Sequence, residues 1–186
     1  MKPLSIKISG FGGQGIILIS VILGTAAVTK KGLYVVQTQS YGSEARGGQC
    51  QAELIISDKP IYSPSTKNKD TLVSLFQSAL DQYISTLKPN GILIVDPKLV
   101  TKIPAGDFAV YQVPATETAI KIGNRIAANM VMLGFLQPLL SLVSEDDIKS
   151  VIKETVKDKF IDVNLKAFNA GLSIAKDLKL TPIGRA

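Results

Sequence analysis

Histidine is absent from this 186-residue chain, and cysteine occurs once. Without histidine the usual general base near neutral pH and the commonest metal ligand are both missing, which removes Ser-His-Asp and Cys-His catalysis and most zinc chemistry. A lone thiol cannot hold an iron–sulfur cluster, which needs about four thiolates, and it cannot close an internal disulfide. Cys50 alternates with apolar neighbours in a strand-like run, the setting of a buried structural thiol rather than a nucleophile. Long apolar runs are also missing. Residues 16–28 fall short of the ~18 that span a bilayer and include Gly24, so no membrane span is expected. Met1-Lys2-Pro3 leads straight into a strand and a glycine turn, so no signal peptide is expected either, and the cytoplasm is the expected compartment.

What is present is enough apolar material, 46% of residues, to bury a substantial core. The expectation is a single α/β domain over residues 1–186, with a helical portion from about 115. Net charge is +6, from 21 basic and 15 acidic residues. The lysines are spread along the chain without aromatic interleaving or a reading helix, so they read as solvated faces and nucleic acid is not expected as a partner. An acidic or phosphorylated partner remains compatible with that charge.

The organising stretch is Ser9-Gly10-Phe11-Gly12-Gly13-Gln14-Gly15, between an alternating strand (Leu4, Ile6, Ile8) and a long apolar helix. Gly10, Gly12 and Gly15 satisfy G-x-G-x-x-G in a strand-to-helix context, where a tight turn presents backbone amides and the positive end of the helix dipole to an anion. Two readings stand side by side: a phosphate or carboxylate seat, and a tight turn packed on its own sheet. A dinucleotide site is argued against. The second strand, Leu33-Tyr34-Val35-Val36, runs into Gln37-Thr38-Gln39, which offers neither a carboxylate for the ribose nor an arginine for a 2′-phosphate.

In order, the pattern predicts a strand over 4–9, a helix over 14–30 and a strand over 33–37, joined as a parallel βαβ pair. The loop that follows contains Ser40, Tyr41, Glu44, Arg46, Gly47 and Gly48, a density of chemistry that favours ligand or subunit contact over a plain turn. A strand over 49–57 comes next, with a short return at Ile61-Tyr62 making an antiparallel hairpin beside an otherwise parallel sheet. Further units are a strand over 71–76, a helix over 78–87, strands over 92–95 and 108–113, and helices over 116–122, 125–142, 144–156 and 163–177. Asp96, before Pro97, reads as a turn organiser rather than a ligand group. Ser144 followed by Glu145-Asp146-Asp147 is a strong helix start. Gly134 with Ala127-Ala128 keeps one helix face small enough for close packing by another helix, while Asn124, Arg125 and Asn129 need partners or a ligand. The fold class expected is Rossmann-like α/β, mostly parallel, with an antiparallel hairpin and a C-terminal helical segment.

The glycine turn, the segment from Gln39 to Gly48, Ile56-Ser57-Asp58 and Ala128-Asn129-Met130-Val131 with Leu133-Gly134 together resemble one family in order and spacing. It is the gamma subunit of the 2-oxoacid:ferredoxin (acceptor) oxidoreductases, closest to the 2-oxoglutarate branch, with the pyruvate and branched-chain branches as alternatives. The resemblance implies a complex that decarboxylates a 2-oxoacid on thiamine diphosphate and Mg2+, passes two electrons through iron–sulfur clusters to ferredoxin or another acceptor, and releases acyl-coenzyme A. It implies alpha, beta and delta-type ferredoxin subunits as partners. This chain lacks the motif that seats thiamine diphosphate, because Gly106-Asp107-Phe108 is not that pattern, and it lacks cluster cysteines. It is therefore expected to be a non-redox subunit with no catalytic residue and no metal site of its own. The resemblance further implies that coenzyme A passes nearby, with Gly10, Gly12, Gly13, Gln14, Gly15, Arg46, Gly47 and Gly48 as its candidate contacts. Ser40, Tyr41, Glu44, Arg46 and Asn129 are the candidate subunit interface, and docking is favoured over coenzyme A binding for the loop. Gln14 is expected to cap the helix. A stand-alone module binding an anion or nucleotide is the alternative outside the family.

Overall fold

The computed structural model describes residues 1–41 and 48–178. Six strands form one sheet in the order β2-β3-β1-β4-β5-β6. They are β1 (Leu4–Phe11), β2 (Tyr34–Tyr41), β3 (Gln49–Ser57), β4 (Lys69–Ser74), β5 (Leu87–Val95) and β6 (Phe108–Gln112). β1, β4, β5 and β6 are parallel neighbours, and β3 runs antiparallel to both β1 and β2.

This corrects the βαβ expectation. β1 and β2 run the same way but do not pair, because β3 folds back and inserts between them, matching Ile6 to Leu54 on one side and Val36 to Ile55 on the other. Burial explains the order. β3 buries Cys50, Ala52, Leu54, Ile55 and Ile56, whereas β2 carries Gln37, Thr38, Gln39 and Ser40, which suit an edge. The hairpin partner of β3 is thus β2 and not Ile61-Tyr62, which forms no strand and leaves Tyr62 95% exposed.

Helix α1 (Ile16–Lys31) lies across β1, β3 and β2 and buries Ile16, Ile19, Ile22 and Leu23; Gly32 in the left-handed region closes it. On the same face lie α3 (Ala115–Ile122), α4 (Ala128–Leu140), α5 (Glu145–Thr155) and α6 (Asp158–Asp177). The helix expected over 125–142 is divided into a 3-10 turn, Arg125–Ala127, and α4; α6 starts five residues before the expected 163. Ser144 and Asp147 form a capping box at the start of α5, as the sequence leads one to expect.

α4 is apolar but for Asn129 and Gln137 and is buried over most of its length, with Phe135 against Tyr111 of β6 (5.8 Å between ring centroids) and α6 crossing it. At the crossing the helices meet glycine to glycine. A Cβ on Gly134 would stand 2.0 Å from the Phe168 carbonyl oxygen, and one on Gly171 would stand 2.0 Å from that of Val131. The small helix face therefore does what the sequence implied.

The opposite face carries α2 (Gln77–Tyr83), which packs Leu80 over Leu72, Leu93, Val95 and Val100. Beside it two buried lysines meet one half-buried carboxylate. Glu53 Oε1 lies 2.8 Å from Lys7 Nζ and Oε2 lies 2.6 Å from Lys69 Nζ, with the Tyr83 ring 4.0 Å from the Lys7 ammonium. Burial raises the cost of the Glu53 charge, yet hydrogen bonds and charge from the two lysines outweigh it and hold the carboxyl below its ordinary value of 4.5.

Candidate functional site

α1 returns to the sheet on one side of β1 while α2 crosses on the other face between β4 and β5, so the connections part between β1 and β4. In open sheets of this kind the crevice at the carboxyl ends of the parted strands is where ligands bind. The glycine turn occupies that place.

Gly10 is still in β1, opposite Cys50, and has no room for a side chain: a Cβ would lie 2.5 Å from Gln14 Oε1 and 2.7 Å from Ile16 Cδ1. The reason is Gln14, which folds back over it. Its Oε1 accepts from the Phe11 amide (2.6 Å) and its Nε2 donates to the Leu75 carbonyl (2.9 Å), so the side chain ties the end of β1 to the end of β4. Gln14 does not cap α1, as the sequence had suggested. Gly15 takes that position at φ +70°, with no side-chain cap, and its Cα rests on the amide of Asn129. Gly13, at φ +91°, faces open space. The Gly12 amide donates to the Gly48 carbonyl (2.9 Å), which brings the end of the β2–β3 connection to the turn.

Of the candidate residues, the structure gathers Gly10, Gly12, Gly13, Gln14, Gly15, Gly48 and Asn129 in one place. Asn129 is only 3% exposed, packed on Gly15 rather than displayed. Ser40 and Tyr41 end β2 as exposed residues, separated from the glycine strand by β3. Glu44, Arg46 and Gly47 lie outside the described residues. Cys50 is free and buried, and burial raises its thiol above the ordinary 9.0, which is the structural role its pattern indicated. Asp96 is wholly buried; its carboxylate accepts from the Lys98 amide (3.0 Å) and the Thr116 amide (2.6 Å), organising the turn after β5.

A cavity of about 160 Å³ opens beside the turn, lined by Gly13, Gln14, Leu75, Thr116, Arg125 and Ile126 among others. The turn that leads into α1, which has no acidic residue in its first turn, borders it through Gly13 and Gln14, and α3 borders it through Thr116, whose amide is already taken by the Asp96 carboxylate and whose helix carries Glu117 in the same turn. Thr116 is 2% exposed, and among the described residues its hydroxyl has no hydrogen-bond partner. Arg125 is exposed and makes no ion pair among the described residues, while Asn124 Oδ1 caps the 3-10 turn that carries it by accepting from the Ile126 amide (3.0 Å). The turn before α1, the Thr116 side chain and the Arg125 guanidinium thus border one hollow, and these are donor types that suit an oxyanion. The sequence reading singled out Arg125 as a polar group needing a partner but left it, and Thr116, out of the site. A usable signal was there, since no acid stands three or four residues from Arg125. Among the described residues no cluster of three or more His, Cys, Asp or Glu could hold a metal ion.

The family model for pyruvate ferredoxin/flavodoxin oxidoreductase matches residues 5–174, and the chain belongs to that family. It is 45% identical over 176 residues to the 2-oxoglutarate synthase subunit KorC of Methanocaldococcus jannaschii, covering 93% of this chain and 94% of the relative. The solved gamma subunit of a keto/oxoacid ferredoxin oxidoreductase from Geobacter sulfurreducens superposes with a TM-score of 0.83 at 39% identity, over 94% of this chain and 99% of that one. The 2-oxoglutarate:ferredoxin oxidoreductase of Magnetococcus marinus, solved with 2-oxoglutarate, coenzyme A and succinyl-CoA bound, matches all of this chain with a TM-score of 0.89 at 26% identity, within 33% of its own longer chain. The antiparallel β3, the parallel strands and the C-terminal helices are therefore the fold of an oxidoreductase gamma subunit.

Proposed function

We propose that this chain is the gamma subunit of a cytoplasmic 2-oxoglutarate:acceptor oxidoreductase, in which its residues 1–186 act as one unit. Such a complex converts 2-oxoglutarate and coenzyme A to succinyl-CoA and CO2 and delivers two electrons to ferredoxin or a similar acceptor. Iron–sulfur clusters do not fit a chain with one buried thiol, and thiamine diphosphate with its Mg2+ has no counterpart of its binding motif here, Gly106-Asp107-Phe108 not being that pattern, so these groups are assigned to the alpha, beta and ferredoxin-type subunits. What this chain adds is a seat for part of coenzyme A. The observation that carries the reading is the cavity where Arg125 and the unpartnered Thr116 hydroxyl face the glycine turn: coenzyme A bears a pyrophosphate and a 3′-phosphate, and these donors match a phosphate.

Docking is the second role. Ile126 (71% exposed) and Phe160 line an apolar groove of about 330 Å³ next to the cavity, so a neighbouring subunit seated there would also roof the phosphate seat. The test is the assembled complex with Arg125→Ala. The KM for coenzyme A is expected to rise about tenfold with kcat and subunit retention unchanged, the loss of one charge-assisted contact. Loss of partner subunits would assign Arg125 to docking instead. An unchanged KM, with the complex intact, would remove the phosphate seat from this chain.

A further inference from the structure

Among the described residues, the edge of the sheet formed by β2 has no device that protects it. Across its eight residues, Tyr34-Val35-Val36-Gln37-Thr38-Gln39-Ser40-Tyr41, there is no charge and no proline, and β3 is its only neighbour, so its outer row of amides and carbonyls is unpaired among the described residues. Proteins ordinarily blunt such an edge with lysine, proline or a bulge. The far edge, β6, has only five residues.

Beside β2, on the face covered by α1, runs a groove of about 310 Å³ lined by Val21, Gly24, Thr25, Val28, Val35 and Gln37, with Val28 exposed at its mouth. Val35 lies on that face, 3.4 Å from where a Gly24 Cβ would stand. By strand alternation Tyr41 lies on it too, opposite Cys50, and its ring is 66% exposed. Groove and exposed ring belong to the same strand, and that makes the edge self-complementary. An antiparallel pairing about a two-fold axis at Thr38 sets Val35 of one copy opposite Tyr41 of the other, Gln37 opposite Gln39 and Val36 opposite Ser40, each pair on a common face. Each Tyr41 then stands at the mouth of the other copy's groove.

Charge does not oppose this approach locally. The chain carries +6, but β2 carries none of it, and the lysines at the nearby end of α1 are paired within the chain, Lys30 with Glu154 (3.4 Å) and Lys31 with Asp147 (3.0 Å). We propose that two copies of this chain associate through β2, with Tyr34–Tyr41 pairing antiparallel to itself to extend the six-stranded sheet across a two-fold axis. This does not depend on the substrate assigned above.

The test is sedimentation of the full chain over a range of concentrations, with thermal melting followed by circular dichroism as the check on folding. The wild type is expected at twice the chain mass of 19.9 kDa. Thr38→Lys puts two like charges on the axis and is expected to weaken the dimer at least about tenfold while the melt is unchanged. Thr38→Cys is expected to form an intermolecular disulfide on mild oxidation, and Gln39→Cys, which does not face itself, is not. A wild type that stays monomeric overturns the proposal, as does a dimer that survives Thr38→Lys and fails to cross-link at position 38. A monomer whose residues 34–41 gain protection from hydrogen exchange only when the other subunits bind would overturn it in favour of a strand supplied by one of them.

Discussion

The two faces of the sheet are closed by opposite means. On the helix face, α4 and α6 come together backbone to backbone through Gly134 and Gly171, and nothing polar is needed at the contact. On the other face, Lys7 and Lys69 are buried against the half-buried Glu53, two cations on one carboxylate, with Tyr83 covering one of the cations. The first closure depends on volume and is indifferent to pH. The second depends on protonation, because removing the carboxylate's charge leaves two buried ammonium groups without a counter-ion.

The sharpest way to break the helix face is Gly171→Val. Its Cβ would fall 2.0 Å from the Val131 carbonyl oxygen and 2.9 Å from the Phe135 amide nitrogen, both backbone, so the helices must part. A loss above about 4 kcal/mol in denaturant unfolding is expected, equal at pH 5 and pH 8. A loss below about 1 kcal/mol would show that the crossing is not tight.

On the other face, Glu53→Gln is expected to cost about 3 kcal/mol at pH 7, since it leaves both lysines buried without the carboxylate. The pH dependence follows from the lowered carboxyl of Glu53. Its contribution is complete above the ordinary value of 4.5 and is lost as pH falls through the lower folded value. Stability of the wild type should therefore decline below pH 4.5, and the decline should be shallower in Glu53→Gln. Asp70, whose charge burial opposes but which hydrogen bonds from Lys88 and Ser5 hold low, contributes to the slope that remains, together with the lowered surface carboxyls such as Asp147. An equally steep acid limb in the variant would show that Glu53 does not couple the face to protons.

At the glycine turn, Gly15→Ala is expected to cost about 2 kcal/mol. The backbone stands at φ +70°, and the new methyl would lie 2.1 Å from Asn129 Nδ2, so the amide must swing away. Asn129→Ala in the same chain should recover part of that loss, which a double-mutant cycle measures. The smallest effect is expected for Asp147→Asn. Its carboxyl is held down to about 2 by Ser144 and Lys31, but it is solvated, so the melting temperature should move least of the four.

Much of this protein was legible in its residues because the signals were local. The alternation of Leu4, Ile6 and Ile8, the glycine turn, the Ser144 cap and the small face at Gly134 each act within a few residues, and each stands where expected. Gln14 was misread because its partners, the Phe11 amide and the Leu75 carbonyl, meet only when β4 lies beside β1. β3 was assigned correctly as a strand and as antiparallel, but its place between β1 and β2 depends on competition for the centre of the sheet. Thr116 carried no signal at all, since a threonine in a first helical turn is ordinary until Gly13 and Arg125 are found across a cavity from it.

By itself the sequence determined some of the chemistry this chain lacks and the family it belongs to: one thiol cannot hold an iron–sulfur cluster, no histidine is present to act as the usual base near neutral pH, and motifs spaced along the chain mark a gamma subunit. Only the tertiary structure decided which strand is central, which is left as an open edge, and that Arg125 and Thr116 face the glycine turn. Strand order, cavity lining and edge exposure are set by which distant segments exclude water from one another, and that is a property of the packed chain rather than of any window of it.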